Sequence, residues 1–280
     1  MLFALGGDTG GGHLSAFVIN PDNGALTPAP DSPFSLGSEA SARSLSVDPQ
    51  GHFVYVGTQG AGILGWRIDR GGRTLVPVHG SPFGDKNKGY TATVDAASKF
   101  LYTTEFTSGM ETFAIDPDSG ALKMVNGPFY IPYNAPLAFT MHQSGQYAYV
   151  MGDANDLTLQ LWVCAVNPSD GAVSAVEREW NGAPIVVLAL SPDGKFLFST
   201  FGMFATPYGS PFVFTYFPEP LKSLLPTAAV VSPDSSFVYA VADPGSLSAF
   251  SLDETTGSLS PIAGSPYAVG VGPTAIAMTH

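Results

Sequence analysis

The sequence predicts an all-β fold: a six-bladed β-propeller of four-stranded blades, with the ring closed by the C-terminal strand completing the N-terminal blade. Three observations carry this expectation. An aromatic-x-aromatic triplet, or its Met-Leu-Phe equivalent, recurs as Met1-Leu2-Phe3, Phe53-Val54-Tyr55, Phe100-Leu101-Tyr102, Tyr147-Ala148-Tyr149, Phe196-Leu197-Phe198 and Phe237-Val238-Tyr239. Successive triplets stand roughly 40 to 50 residues apart, a period that marks propellers and other repeat arrays. Pro, Asp, Asn and Gly punctuate every repeat at turn positions, and no helical periodicity of useful length competes.

Each repeat reads as four short strands. The inner strand follows a Pro or a small residue, as in Pro226-Thr227-Ala228-Ala229-Val230-Val231 and Pro273-Thr274-Ala275-Ile276-Ala277-Met278. Small and β-branched side chains suit a crowded inner position. A turn such as Pro49-Gln50-Gly51 or Pro192-Asp193-Gly194 leads into the aromatic triplet, which is the second strand. The third strand is Gly65-Trp66-Arg67-Ile68 or Thr112-Phe113-Ala114-Ile115. A Pro-Asp-x-Gly turn, Pro21 to Gly24 or Pro117 to Gly120, then opens the outer strand. That strand ends in a Ser-Pro-aromatic tag: Ser32-Pro33-Phe34, Ser81-Pro82-Phe83 or Ser265-Pro266-Tyr267. Proline fits an outermost edge, where a missing N–H is harmless.

These readings divide a single domain, 1–280, into blade 1 (1–38 plus 272–280), blade 2 (39–88), blade 3 (89–134), blade 4 (135–182), blade 5 (183–225) and blade 6 (226–271). Blade 4 replaces the tag with Glu179-Trp180-Asn181, and the outer segment of blade 5, Glu219 to Leu225, lacks the Gly turn. The C-terminal run from Pro273 is an inner strand without continuation, and Met1-Leu2-Phe3 is a second strand without an inner strand before it. Pairing the two completes blade 1.

Composition narrows the function. Hydrophobic residues make up 45% of the 280, enough for one large core. Lys and Arg together number 11 against 23 Asp and Glu, a formal charge of −12. Phosphate backbones and anionic bilayers are both read by clustered Lys and Arg, so neither nucleic acid nor membrane is the expected partner. No apolar run approaches the roughly 20 residues of a spanning helix. No charged leader opens the chain, so the compartment stays open: cytoplasmic, or exported with the signal absent from this sequence. The one cysteine, Cys164, sits in the apolar run Leu161 to Val166 and reads as a small buried hydrophobe.

The connections from outer to inner strand and the loops between second and third strands should open on one face, where a ligand would sit. Arg43, starting the inner strand of blade 2, could bind a carboxylate or steady an oxyanion. Glu105, ending the second strand of blade 3, could act as a base. The alternative for this pair is an interblade salt bridge or a solvated rim. Tyr90, His13, Asp153, Asp156, Asp243 and Tyr208 complete the expected pocket rim. Asp153 and Asp156, with Glu105 and Asp243, could offer oxygen ligands to Ca²⁺, although the loop lacks an EF-hand pattern and no other metal or cofactor is indicated. The run Gly6-Gly7-Asp8-Thr9-Gly10-Gly11-Gly12-His13 invites a phosphate-loop reading. It should instead join two antiparallel strands as a flexible loop near the mouth, and no Lys-Ser/Thr follows. The blade 5 stretch Gly202 to Gly209 reads as a long apolar loop. Asp48 and Asp95, preceding the inner turns on the opposite face, are expected to bind turn amides.

The combination of Ser191-Pro-Asp-Gly-Lys-Phe-Leu-Phe198, Phe250-Ser-Leu-Asp253 and Gly264-Ser-Pro-Tyr267 resembles the YVTN-type repeat of lactonase-like propellers related to 6-phosphogluconolactonase and carboxymuconate cyclase. The resemblance covers the whole chain, with one blade fewer than the seven usual in that family. It implies a small-molecule ligand, a sugar lactone or carboxylate, and a lactone hydrolase or lactonising activity at the axial site. The family's enzymes carry His, Arg and acidic groups there. The matching positions here, Leu137, Val186, Thr227 and Thr274, are apolar or hydroxyl-bearing, and Arg43 and Tyr90 stand out. The preferred expectation is therefore a scaffold that binds a small molecule or another protein without catalysis. A lactonase-like enzyme using Arg43 and Glu105 is the alternative.

Overall fold

The computed structural model describes residues 1–8, 11–37, 41–69, 74–86, 88, 91–105, 109–129, 136–142, 144–153, 159–182, 187–191, 196–199, 202–205, 226–242, 244–269 and 272–278. All regular structure among them is β. No helix among them is long and apolar enough to cross a membrane.

Blade 1 contains β1 (Leu2–Asp8), β2 (Gly11–Ile19), β3 (Leu26–Pro28) and β4 (Phe34–Ser35). Blade 2 contains β5 (Ser41–Val47), β6 (Phe53–Gln59), β7 (Ile63–Asp69) and β8 (Thr74–Pro77). Blade 3 follows with β9 (Thr93–Val94), β10 (Phe100–Glu105), β11 (Gly109–Ile115) and β12 (Leu122–Phe129). Blade 4 has β13 (Pro136–Met141), β14 (Tyr147–Asp153), β15 (Leu159–Val166) and β16 (Val173–Gly182). Next come β17 (Val187–Leu190), β18 (Phe196–Ser199) and β19 (Gly202–Ala205). The C-terminal blade holds β20 (Ala228–Val231), β21 (Phe237–Ala242), β22 (Ser246–Leu252), β23 (Leu259–Pro261) and β24 (Tyr267–Ala268), and β25 (Ala275–Met278) ends the chain.

The expected six-bladed propeller is corrected by the sheet order to an all-β propeller of five four-stranded blades. Five blades have a main ladder of four strands, and β17-β18-β19 forms a three-stranded sheet among the described residues. Residues 206–225, where the outer segment of this repeat was expected, lie outside the described residues. The supposed apolar loop from Gly202 is also partly corrected. Gly202–Ala205 is β19, paired directly back on β18 with Ser199 opposite Gly202. Tyr208 lies outside the described residues. The last strand does pair with the first, β25 on β1 in the register Leu2↔Met278 and Phe3↔Ala277.

Contacts group the chain into two compact units, Met1–Ala42 with Val187–His280, and Arg43–Val186. Within each, the aromatic triplet works as a seam between successive blades. Tyr55 and Phe53 of blade 2 bury against Leu101 and Phe113 of blade 3. Phe100 and Tyr102 pack with Ala148, Val150 and Cys164 of blade 4. In the other unit Tyr239 packs with Leu2, Phe17 and Leu26 of blade 1. Burying each such side chain contributes roughly 1.5–3 kcal/mol before entropy is counted.

The turn glycine completes the seam. Gly120 has φ +76, and a Cβ there would stand 2.5 Å from Cε1 of Phe53. Gly171 and Gly24 meet Phe100 and Phe237 in the same way. The third residue of the triplet then donates to the glycine carbonyl: Tyr55 Oη to Gly120 O at 2.8 Å, and Tyr239 Oη to Gly24 O at 3.1 Å. At the blade 3–blade 4 seam Thr112 Oγ1 takes the Gly171 carbonyl instead, at 3.1 Å. Tyr102 Oη is buried and has no hydrogen-bond partner among the described residues. Burial raises the phenol pKa of Tyr55 and Tyr102 and pushes that of Tyr239 up to about 12.

The Ser-Pro-aromatic tag is not simply the end of an edge strand. Its aromatic returns to the third strand, with Phe34 opposite Leu14, Phe83 bridged to Ile63 and Tyr267 opposite Leu247. Its serine accepts a third-strand amide: Ala16 N to Ser32 Oγ, Gly65 N to Ser81 Oγ and Ala249 N to Ser265 Oγ, at 2.9 to 3.0 Å. The hydroxyl takes the place of the carbonyl that the departing outer strand withdraws. In blade 4, without the tag, β16 continues along β15 as far as Leu159↔Gly182.

Candidate functional site

The site is built on the strand ends of blades 2 and 3, both in the Arg43–Val186 unit. Inner strands lack a ladder partner on their axial side, so their amides need other acceptors. Serines of β5 supply them: Ala92 N donates to Ser44 Oγ at 2.6 Å, and Val94 N to Ser46 Oγ at 2.9 Å. This stitch brings the start of β5 beside the start of β9. Thr91 then ties to β10, with Thr91 N donating to Thr104 O at 3.0 Å and Thr104 N to Thr91 Oγ1 at 3.1 Å, and the two hydroxyls bond as well. Arg43 precedes Ser44, and Glu105 follows Thr104. The backbone positions of the two expected site residues therefore fall in one neighbourhood.

Arg43 is exposed, and its Nη2 donates to Oε1 of Gln59, the last residue of β6. Among the described residues that partner is neutral, and a guanidinium carries five N–H donors. Glu105 closes β10 opposite Gly109. Tyr90, the residue before Thr91, lies outside the described residues.

An ion pair that sequence reasoning missed lies at the same strand ends. Lys88 Nζ is 2.5 Å from Glu111 Oε1, with side chains 26% and 7% exposed. Glu111 stands on β11 opposite Thr103, whose hydroxyl donates to the Glu111 carbonyl at 3.2 Å. A lone acid within the otherwise apolar and hydroxyl-bearing run Gly109 to Ile115 was the signal available. A buried carboxylate in such a strand needs a cation.

The remaining expected residues are spread more widely. His13 is half-buried in the other unit, its Nε2 3.4 Å from the Val269 carbonyl. The glycine-rich run around it is not a flexible loop along its length. Gly6, Gly7 and Asp8 extend β1 and pair with His13, Gly12 and Gly11 of β2, which leaves Thr9 and Gly10 outside the described residues. Asp153 ends β14 opposite Leu159. Asp156 and Asp243 are outside the described residues, and no group of three or more His, Cys, Asp or Glu gathers among the described ones. Cys164 is buried, and burial pushes its thiol up to about 12.

On the opposite face Asp48 and Asp95 hold turns, as expected. Asp48 Oδ1 accepts from His52 N and Phe53 N at 2.6 and 2.5 Å. Asp95 Oδ1 accepts from Lys99 N and Phe100 N at 2.7 and 3.0 Å. Burial raises the Asp95 pKa against the opposing pull of those amides. Thr227 is structural too, its hydroxyl donating 2.6 Å to Pro273 O.

No family model matches the chain, and no curated protein matches it. Solved structures do. A Bacteroides uniformis protein provisionally assigned as a 6-phosphogluconolactonase superposes with a TM-score of 0.62 at 16% identity, over 98% of each chain. The periplasmic gluconolactonase of Pseudomonas aeruginosa gives 0.60 at 16%, over 99% of this chain and 98% of that one. A chain of a nidogen/laminin complex gives 0.59 at 11%, over 99% and 98%. The chain thus has the fold of the lactonase-like β-propellers, a fold that its neighbours put to more than one use.

Proposed function

We propose that the protein binds a small sugar acid or sugar lactone at the blade 2–blade 3 mouth, as a binding scaffold without chemistry of its own. The observation that carries this reading is the exposed Arg43 guanidinium on an inner strand end, steadied by neutral Gln59. Its remaining donors suit a carboxylate or a lactone carbonyl. Titration calorimetry with gluconate and gluconolactone tests it. Arg43→Gln should weaken binding by about 10- to 100-fold, the worth of a charge-assisted hydrogen bond. Equal affinity in the variant overturns the reading.

Lactone hydrolysis is the second reading. Two neighbours named as lactonases support it, together with the position of Glu105 one residue beyond the Thr91–Thr104 tie. Glu105 would activate water while Arg43 held the lactone. Turnover of gluconolactone that falls in Glu105→Gln would favour the enzyme. Binding without turnover would favour the scaffold.

A further inference from the structure

Arg43 and Gln59 are both exposed, yet each stands on backbone that is held in place. Gln59 ends β6, where the turn into β7 closes on buried Thr58. The N–H and the hydroxyl of Thr58 both donate to the Gly62 carbonyl, at 3.0 and 2.7 Å. Gly62 has φ +84, and a Cβ there would stand 2.5 Å from the Phe83 carbonyl oxygen, so the turn packs on the tag of its own blade. Ile63 and Phe83 exchange both backbone hydrogen bonds, at 2.9 and 2.8 Å. On the other side Arg43 precedes Ser44, whose hydroxyl is fixed by the Ala92 amide. The bond from Arg43 Nη2 to Gln59 Oε1 thus joins two anchored strand ends. A guanidinium already held this way loses less rotamer freedom when a ligand arrives.

The chemistry of the partner matters as much as its position. A guanidinium is always charged and has no acceptor, so the amide must face it with its oxygen. Gln59 therefore orients Arg43 without neutralising it. The chain has 23 Asp and Glu against 11 Lys and Arg, yet among the described residues the one side-chain partner of Arg43 is this amide. A carboxylate in the same place would compensate the charge and compete with an anion for the same N–H groups. The amide leaves both charge and donors to the ligand. Hydrogen bonds to an ionised oxygen are roughly twice as strong as those to a neutral one, so this pair favours a carboxylate over a carbonyl.

We propose that Gln59 is the charge-selecting residue of this mouth, and that the ligand is the ionised open-chain sugar acid rather than a neutral form such as its lactone. The inference rests on the reading of Arg43 given above. Arg43 holds the carboxylate, and Gln59 is a positioning residue that acts through Arg43.

Titration calorimetry of the full chain with gluconate and gluconamide, the same chain with a neutral carboxamide in place of the carboxylate, tests this. Wild type should prefer gluconate by at least about tenfold. Gln59→Glu sets a carboxylate on the guanidinium, and should bring the preference to near unity by weakening gluconate while gluconamide is little changed. Gln59→Met removes the bond without adding charge. It should weaken both ligands alike, by about three- to tenfold, and keep the preference. Gln59 is exposed, so neither substitution threatens the fold, and a selectivity ratio does not move with a general loss of stability. Equal binding of the two ligands by wild type overturns the inference, because an acid would then already compensate Arg43. A preference that survives Gln59→Glu overturns it too, as does Gln59→Met binding as tightly as wild type. In each case gluconate binding that still depends on Arg43 leaves the parent reading standing. Wild type that binds neither ligand overturns both.

Discussion

Replacing Gly120 by alanine adds one methyl group to a turn that has no room for it. Two costs add. The residue sits at φ +76, where an L side chain crowds its own carbonyl, worth about 1–2 kcal/mol. The new Cβ would also stand 2.5 Å from Cε1 and 3.0 Å from Cγ of Phe53, a ring 4% exposed that cannot swing into solvent. Overpacking of that kind costs about 1–3 kcal/mol. Together these give a loss of about 2–5 kcal/mol. Gly145→Ala is the control: its φ is +67, but nothing lies within 4 Å of its Cβ, so only the backbone cost of about 1–2 kcal/mol applies. Both glycines lie in the Arg43–Val186 unit. Urea unfolding followed by circular dichroism, with midpoints compared at constant slope, measures the difference. If the two variants shifted the midpoint equally, the glycine–aromatic contact would not be what holds the seam.

Three other outcomes follow from the same geometry. Tyr55→Phe should lose about 1 kcal/mol with its bond to Gly120, whereas Tyr102→Phe, which removes a buried hydroxyl without a partner among the described residues, should be neutral or stabilising by thermal melt. Ser98 holds φ 56, with a buried Oγ that has no partner among the described residues, at a position occupied by Gly51 and Gly145 in the flanking blades. Ser98→Gly should therefore raise the melting midpoint, by about 1 kcal/mol in stability. Burial lowers the His142 pKa, so below about pH 6.5 the unfolded chain takes up the proton more readily than the folded one. Stability should fall as pH drops through that range, and His142→Gln should flatten the fall in unfolding curves measured at successive pH values.

The blade pattern was readable because most of the repeated residues have a repeated partner. Phe53, Phe100 and Phe237 of the triplets meet the turn glycine of the next blade, Tyr55 and Tyr239 bond to it, and Asp48 and Asp95 meet their own turn amides. Local chemistry of this kind leaves a mark at fixed spacing. The stretch after β18 broke the inference because Gly202–Ala205 alternates no more clearly than a loop, and its pairing to Ser199 is set by the neighbouring strand. The glycines before His13 suggested a loop because Gly has low strand propensity. The flanking β1 and β2 ladders override it. At the candidate site Arg43 was visible as a lone cation at a strand start. Gln59 and the Lys88–Glu111 pair were not, since their partners lie 16 and 23 residues away with no periodic signal.

The glycine seams also decide where such a chain can be cut and recombined. The ring of Phe53 and the turn at Gly120 belong to different sheets, as do Phe100 and Gly171, and Phe237 and Gly24. A chimera that swaps one whole sheet inherits half of each seam on either side and must match two foreign halves. A segment running from one triplet through the turn glycine of the next blade, as from Phe53 to Gly120, carries a complete seam with it. Tandem duplication of one full period preserves every seam wherever the breakpoint falls, so the heritable module of this architecture is the joint rather than the blade.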